Sequence, residues 1–441
     1  MSRIAEIATA LAGYDPKALS VDGVLAFLEQ LAAPPADMPC DEVPLREALG
    51  RVLARDIVSP FSVPPHDNSA MDGFAFDGAL LDEAADAAGD LRLRIAGTAL
   101  AGAAWRGSAG ALDALDAVKI MTGAVMPAGM DTVVPQEFCT IDDGTHVRFP
   151  ASALRRGDNR RLAGEDLQAG GAALRQGNRL GPAALGLAAS LGLATLPLLP
   201  RLRVAYFSTG DEILNLGEAP REGAVYDSNR FTVFGLLARL GCEIVDLGLV
   251  RDDPDSLAAT LARAAREADA IVTSGGVSVG EADHTRAVMQ RLGDMAFWRI
   301  AMRPGRPMAV GLIPRGDAAD GHAVLFGLPG NPVAVMVTFL AFVRPALLQR
   351  MGCNARARAS TPLLRATSAT PIRKKPGRTE YQRGFVTAAP GALPEVRIAG
   401  NQGSGVLSSM VEANGLVVLH HGQGSVAAGE PVDVMMFDGA L

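Results

Sequence analysis

Three glycine-bearing segments of this chain follow apolar, strand-like runs and carry the residue types that bind phosphate. They are Ser208-Thr209-Gly210-Asp211-Glu212, then Ser274-Gly275-Gly276-Val277-Ser278-Val279-Gly280-Glu281-Ala282-Asp283, and Leu328-Pro329-Gly330-Asn331-Pro332. Glycine lets backbone N–H groups approach an anion closely, and a helix N-terminus adds partial positive charge. One such turn is weak evidence, because turns need glycine anyway. Three on one edge of a sheet are stronger, since open α/β sheets bind ligands beyond the carboxyl ends of their strands. Neither GxxxxGK[ST] nor GxGxxG occurs, so a P-loop or a dinucleotide Rossmann site is not supported.

A fourth segment, Trp298-Arg299-Ile300-Ala301-Met302-Arg303-Pro304-Gly305-Arg306, alternates basic and apolar residues. Alternation predicts Arg299 and Arg303 on one face of a strand, with Arg306 following a Pro-Gly turn. Three guanidiniums so close suit a phosphate or another oxyanion; a solvated edge strand is the plain alternative. Asp252 and Asp253 follow a strand and could pair with Asp283 or Glu212 around Mg²⁺, which prefers oxygen ligands and often binds through one or two carboxylates plus phosphate. The Asp252-Asp253-Pro254-Asp255 run also reads simply as the start of a helix, with Asp255 as N-cap. Two further polar strings, Asp67-Asn68-Ser69-Ala70-Met71-Asp72-Gly73 and Met121-Thr122-Gly123-Ala124, read by themselves as turns.

The elements that must position these residues change character along the chain. Residues near 21–32 have helical spacing, and a second short helix is expected over 44–53. The stretch 59–73 is loop-like. Short strands at 91–95, 117–120, Thr132–Pro135 and 147–149 predict a small β-rich domain. Strands at 203–207, Glu243–Val250, 270–273, 296–302, 308–313 and 323–328 alternate with helices at 229–240, 256–268, Asp283–Leu292 and Pro332–Arg350. That order predicts a doubly wound, mainly parallel α/β domain. After Gly352, strands and turns predict a C-terminal β-barrel or sandwich.

A net charge of −7 and 5% aromatic content argue against a general nucleic-acid binder. Among the basic residues only Lys17, Lys119, Lys374 and Lys375 are lysines, so arginine at any one position carries little information. Cys40, Cys139, Cys242 and Cys353 form no CxxC and suggest reduced thiols in a cytoplasmic protein. No HExxH occurs, and the N-terminus lacks a signal peptide's apolar core. Residues 180–200 carry no charge before Arg201, but their prolines and glycines fit a short buried helix and a strand better than a membrane span.

Taken together, the Asp67–Gly73, Met121–Ala124, Gly164-Glu165-Asp166, Ser208–Glu212, Ser274–Asp283 and Leu328–Pro332 strings, with Gln402-Gly403-Ser404, resemble the molybdopterin molybdenumtransferases, the group that includes the E domain of gephyrin. The order matches and covers most of the chain after about residue 20. The resemblance implies four domains: a small discontinuous helical domain (1–53 and 151–200), an inserted β domain (54–150), the α/β domain (201–352) and a C-terminal β-barrel (353–441). It implies a homodimer, with Asp72 and Thr122 given to the partner's active site. It also implies adenylylated molybdopterin and molybdate as substrates, Mg²⁺ at Glu212, Asp252 and Asp283, and release of AMP. Substrate would be held by Ser208, Thr209, Gly210, Ser274, Gly275, Gly276, Ser278, Gly280, Pro329, Gly330, Asn331 and Pro332. Molybdate would be held by Arg303, Arg383 and Ser404, with Arg299 nearby. A molybdopterin adenylyltransferase and molybdoenzyme chaperones are candidate partners. The chain departs from the family at His66, where an aromatic residue is usual, and in having arginine at basic positions that are usually lysine. An adenylyltransferase would be far shorter, and a non-catalytic scaffold would not need Asp72, Asp283 and Arg383.

Overall fold

A computed structural model describes residues 2–84, 89–107, 112–276, 283–316, 321–359 and 362–440. The chain divides into two compact bodies. The first comprises Met1–Arg55, Gln176–Gly181 and Thr195–Leu441; the second comprises Asp56–Arg175 and Pro182–Ala194.

The first body is built on a six-stranded sheet in the order Glu243–Val250, Arg203–Thr209, Ala270–Ser274, His322–Leu328, Pro307–Pro314, Asp294–Arg299. The first four strands are mutually parallel, and Pro307–Pro314 runs against both of its neighbours. Parallel strands buried on both faces read as continuous apolar runs. Along Arg203–Thr209 the side chains divide accordingly. Val204 and Tyr206 join a core with the helices Ser228–Leu240 and Pro332–Thr338. Ala205 and Phe207 join the opposite core with Pro254–Glu267 and Asp283–Leu292. The α/β domain is therefore doubly wound and mainly parallel.

Two local elements differ from the expected ones. The segment 44–53 forms only a short 3-10 turn at Leu45–Glu47. Its backbone is taken by distant partners: Asp41–Pro44 pairs with Thr195–Leu198, and the Gly50 and Leu53 N–H groups donate to Leu180 and Asn178. Asp253, not Asp255, caps Pro254–Glu267, accepting from Ser256 N at 2.8 Å with Pro254 in the first helical turn.

The expected strand over 296–302 is two pieces. Asp294–Arg299 ends the α/β sheet, while Met302–Arg303 pairs in parallel with Thr379–Thr387 of the C-terminal region. The alternation survives the break: Trp298, Ile300 and Met302 are buried while Arg299 and Arg303 are exposed. In the C-terminal region, Thr379–Thr387, Glu395–Ile398, Leu364–Ser368, Pro431–Met436 and Gly415–Leu419 close into a five-stranded barrel around its own apolar core.

The second body is centred on a six-stranded mixed sheet in the order Thr132–Pro135, Gly73–Phe76, Asp116–Ile120, Asp90–Ala99, His146–Pro150, Thr140–Asp142. Its two faces cover separate clusters around Phe76 and Phe149 and around Val118 and Val133. The helix expected near residue 182 forms over Pro182–Ser190 but is not buried as expected. Of its residues, only Ala188 is buried. Among the described residues, one helical stretch is long and apolar enough to span a membrane, Pro332–Arg350, and it is mostly buried in the first body's core.

Candidate active site

The glycine-bearing turns converge at one end of the first body's sheet. Gly275 follows the strand Ala270–Ser274 with φ +91°, and a Cβ there would lie 2.3 Å from the Thr209 carbonyl oxygen. Gly276, at φ +68°, approaches the Thr285 side chain just as closely as glycine permits. Two successive residues at positive φ thus fold the turn flat against the neighbouring strand. The third turn passes into a helix through Asn331 at the N-cap and Pro332 in the first turn. No cap bond engages the Asn331 side chain.

Between these turns lie two cavities of about 360 and 590 Å³. Both are lined by Glu212, Gly275, Gly330 and Asn331, so they adjoin as two parts of one cleft. The smaller part is walled by Gly276, Pro329, Arg303, Gln402 and Ser404; the larger by Ser208, Thr209, Ser274, Pro332, Asp227 and Asn229. The cleft therefore joins the sheet's strand ends to the C-terminal barrel. The Val333 N–H donates to the Ser404 carbonyl at 3.1 Å, tying the barrel loop to the third turn.

Carboxylates flank Thr209-Gly210. The Thr209 hydroxyl donates to Asp252. The Glu212 carboxylate folds over Gly210, where a Cβ would stand 2.6 Å from it. Asp283 opens the helix Asp283–Leu292, but its side chain, and Ser278 and Gly280 altogether, lie outside the described residues. Among the described residues no three His, Cys, Asp or Glu side chains gather as a metal site.

Arg303 and Ser404 face the cleft, whereas Arg383 lies beneath it, 1% exposed. Its guanidinium donates to the Asn401 carbonyl at 3.0 Å, the Gly403 carbonyl at 2.9 Å and Ser409 Oγ at 3.0 Å. Gln402 accepts from the Arg383 N–H and donates to its carbonyl, at 2.9 and 3.0 Å. Arg383 thus holds the loop that presents Gln402 and Ser404. Glu380 is not its counter-ion, being paired with Arg378 at 2.7 Å. Burial, and next the Arg303 charge, lower the Arg383 pKa. Arg299 and Arg306 are exposed and absent from the described lining of the cleft.

In the second body the two motif loops meet each other. Asp72 accepts from both the N–H and the hydroxyl of Thr122, each at 2.7 Å. These bonds hold the exposed Asp72 carboxyl below its usual range, the backbone bond contributing most. The Gly123 N–H donates to Ser69 O at 2.8 Å, and Ser69 N–H donates to Ala124 O at 3.0 Å. The third motif joins them: Asp67 accepts from Ala163 N, and Gly164 N donates to Pro64 O.

Residues 19–192 match the model of the MoeA N-terminal region (domain I and II), 205–349 that of a probable molybdopterin binding domain, and 365–437 that of the MoeA C-terminal region (domain IV). A molybdopterin molybdenumtransferase of Haemophilus influenzae is 38% identical over 94% of this chain and 97% of its own length. The chain belongs to the molybdopterin molybdenumtransferase family. A second relative of that name, from Synechococcus elongatus, is 35% identical over 93% of this chain and 98% of its own. The molybdopterin biosynthesis MoeA protein of Pyrococcus horikoshii superposes with a TM-score of 0.76 at 26% identity, covering 96% of this chain and all of that one. The protein is a transferase of molybdenum cofactor biosynthesis. The cavity lining also brings in two residues that the sequence reading missed. Asp227 and Asn229 wall the cleft but read in the sequence only as polar residues at a helix start.

Proposed function

We propose that this transferase inserts molybdate into adenylylated molybdopterin with Mg²⁺-dependent release of AMP, and that it works in the cytoplasm as a homodimer. The supporting observation is this cleft, whose lining brings glycine turns and a helix N-terminus together with Arg303 and Ser404. Backbone N–H groups of the turns suit the substrate's phosphates. Arg303 and the Ser404 hydroxyl suit a tetrahedral oxyanion, one as a fixed fork and the other as a rotatable donor. Glu212 and Asp252, on either side of the Thr209-Gly210 turn, are hard oxygen donors of the kind that Mg²⁺ prefers, and Asp283, whose side chain lies outside the described residues, is proposed as the third. When bound, the ion would supply charge neutralisation at the pyrophosphate. Arg383 fixes the loop that carries Ser404, and Thr209 orients the Asp252 carboxylate. The exposed Asp72–Thr122 pair is assigned to the partner subunit's site, which makes the dimer the working unit.

Anaerobic incubation with adenylylated molybdopterin and molybdate, with AMP detection, tests the reaction. AMP should appear only with both substrates and Mg²⁺, and Asp283→Ala should slow it at limiting Mg²⁺. AMP release at the wild-type rate by that variant would remove the metal role. Light scattering showing a stable micromolar monomer would remove the dimer, and Asp72→Ala and Asp283→Ala subunits should partly complement when mixed.

A further inference from the structure

The larger part of the cleft is lined by two residues that each keep one buried side-chain acceptor without a partner among the described residues. Asp227 is 4% exposed and Asn229 is 8% exposed, and both line it. Asp227 caps the helix Ser228–Leu240, its Oδ1 accepting from Arg230 N at 3.1 Å. Its Oδ2 is buried with no partner among the described residues. The adjacent cation does not serve it, because Arg230 is committed to Asp246 through Nε at 3.0 Å and Nη2 at 2.8 Å. Asn229 donates from Nδ2 to the Gly330 carbonyl at 2.7 Å, which fixes the amide's orientation and leaves Oδ1 as the free acceptor.

Leaving a buried polar atom without a partner is costly, more so for a charged group, and a pair of them in two residues that line a cavity calls for donors from outside. We infer that Asp227 and Asn229 recognise the substrate's pterin by its amino-pyrimidine edge, where the 2-amino group and N3–H present two adjacent donors to two acceptors. This rests on the reading that the cleft takes an adenylylated pterin. Adenine fits the pair poorly: its single amino group is flanked by ring nitrogens that accept, and one of these would face a carboxylate. The assignment also orders the cleft. The pterin lies in the larger part, beside Ser208 and Ser274, and molybdate chemistry occurs in the smaller part, beside Arg303 and Ser404.

The test uses pterin and lumazine, its 2,4-dioxo analogue, which replaces the amino donor by an acceptor. Both are titrated by their own fluorescence against the full-length wild type, Asp227→Asn and Ser228→Ala, with AMP titrated in parallel. Wild type should prefer pterin by ~10-fold or more, the scale of one charge-assisted hydrogen bond. Asp227→Asn keeps a helix cap of equal quality but offers a donor, so the preference should collapse or invert. Ser228→Ala, on the same cavity wall, should retain it. Equal affinity of wild type for the two pteridines, or no measurable pterin binding up to millimolar concentration, overturns the assignment. So does an Asp227→Asn protein that keeps the preference, or one whose AMP affinity falls instead. Wild-type turnover of adenylylated molybdopterin is measured separately. Turnover without pteridine discrimination refutes this inference alone, and discrimination without turnover refutes the proposed reaction alone.

Discussion

Arg383→Lys separates two ways in which a buried cation can matter at this site. The wild-type guanidinium serves the Asn401 and Gly403 carbonyls and Ser409 Oγ at once, from one fixed fork. Ser409 already donates its proton to the Val406 carbonyl at 2.6 Å, so it can only accept from Arg383. An ammonium keeps the charge but lacks the fork, and at least one loop carbonyl loses its partner. An unmade bond of this kind costs ~1–3 kcal/mol, so the urea midpoint should move by an amount that reports a loss of ~1.5–3 kcal/mol. Because the same loop carries Ser404, the molybdate concentration for half-maximal AMP release should rise ~10-fold or more, each factor of ten corresponding to ~1.4 kcal/mol. Ser404→Ala should raise that concentration while leaving the urea midpoint unchanged. Wild-type stability together with a wild-type molybdate response in Arg383→Lys would refute the claim that the guanidinium holds the loop.

Gly275→Ala should destabilise the first body by at least ~1–2 kcal/mol from its positive φ alone, before the clash with the Thr209 carbonyl is added; an unchanged denaturation midpoint would contradict that packing. Thr122→Val should raise the Asp72 pKa toward the ordinary carboxylate range, as read by carboxyl NMR titration. Since Asp72 is held low in the folded protein, its contact with Thr122 is present at neutral pH and weakens only as pH falls through that lowered value. Thiol titration of the native protein at pH 8 should find one fast-reacting cysteine, Cys40, which is exposed. Burial pushes Cys139 and Cys353 up to about 11 and Cys242 up to about 12, so rapid reaction of a second thiol would contradict their environments.

The fold was legible where local pattern and tertiary demand agree. Glu243–Val250 and Asp283–Leu292 have the expected bounds, and Gly241 ends the preceding helix at φ +80°. It was illegible where distant backbone decides. Residues 44–53 carry a helix-like spacing, yet partners near residues 178–198 claim their N–H groups. The alternation around Arg299 and Arg303 matches their burial pattern but could not reveal that Met302–Arg303 leaves one sheet for another. Within the site, glycine turns announced themselves because positive φ restricts residue choice. Arg383 reads in the sequence as an oxyanion ligand, and only its three acceptors reveal that it holds the loop of residues 401–404. Asp227 and Asn229 were hidden because a helix cap explains an aspartate fully until its second oxygen is found without a partner.

The crossing of Met302–Arg303 limits how modular this chain can be. These residues continue directly from the α/β sheet and lie as an added strand on Thr379–Thr387. The barrel is consequently not a detachable appendage. Cutting the chain after Gly352 would strip Met302 and Arg303 of their strand partner and leave Met302, Tyr381, Leu416 and Val418 without the apolar cluster they share. Swapping barrels between relatives would succeed only if the crossing segment travelled with them, so the unit of inheritance here is an interwoven pair of domains, not a string of beads.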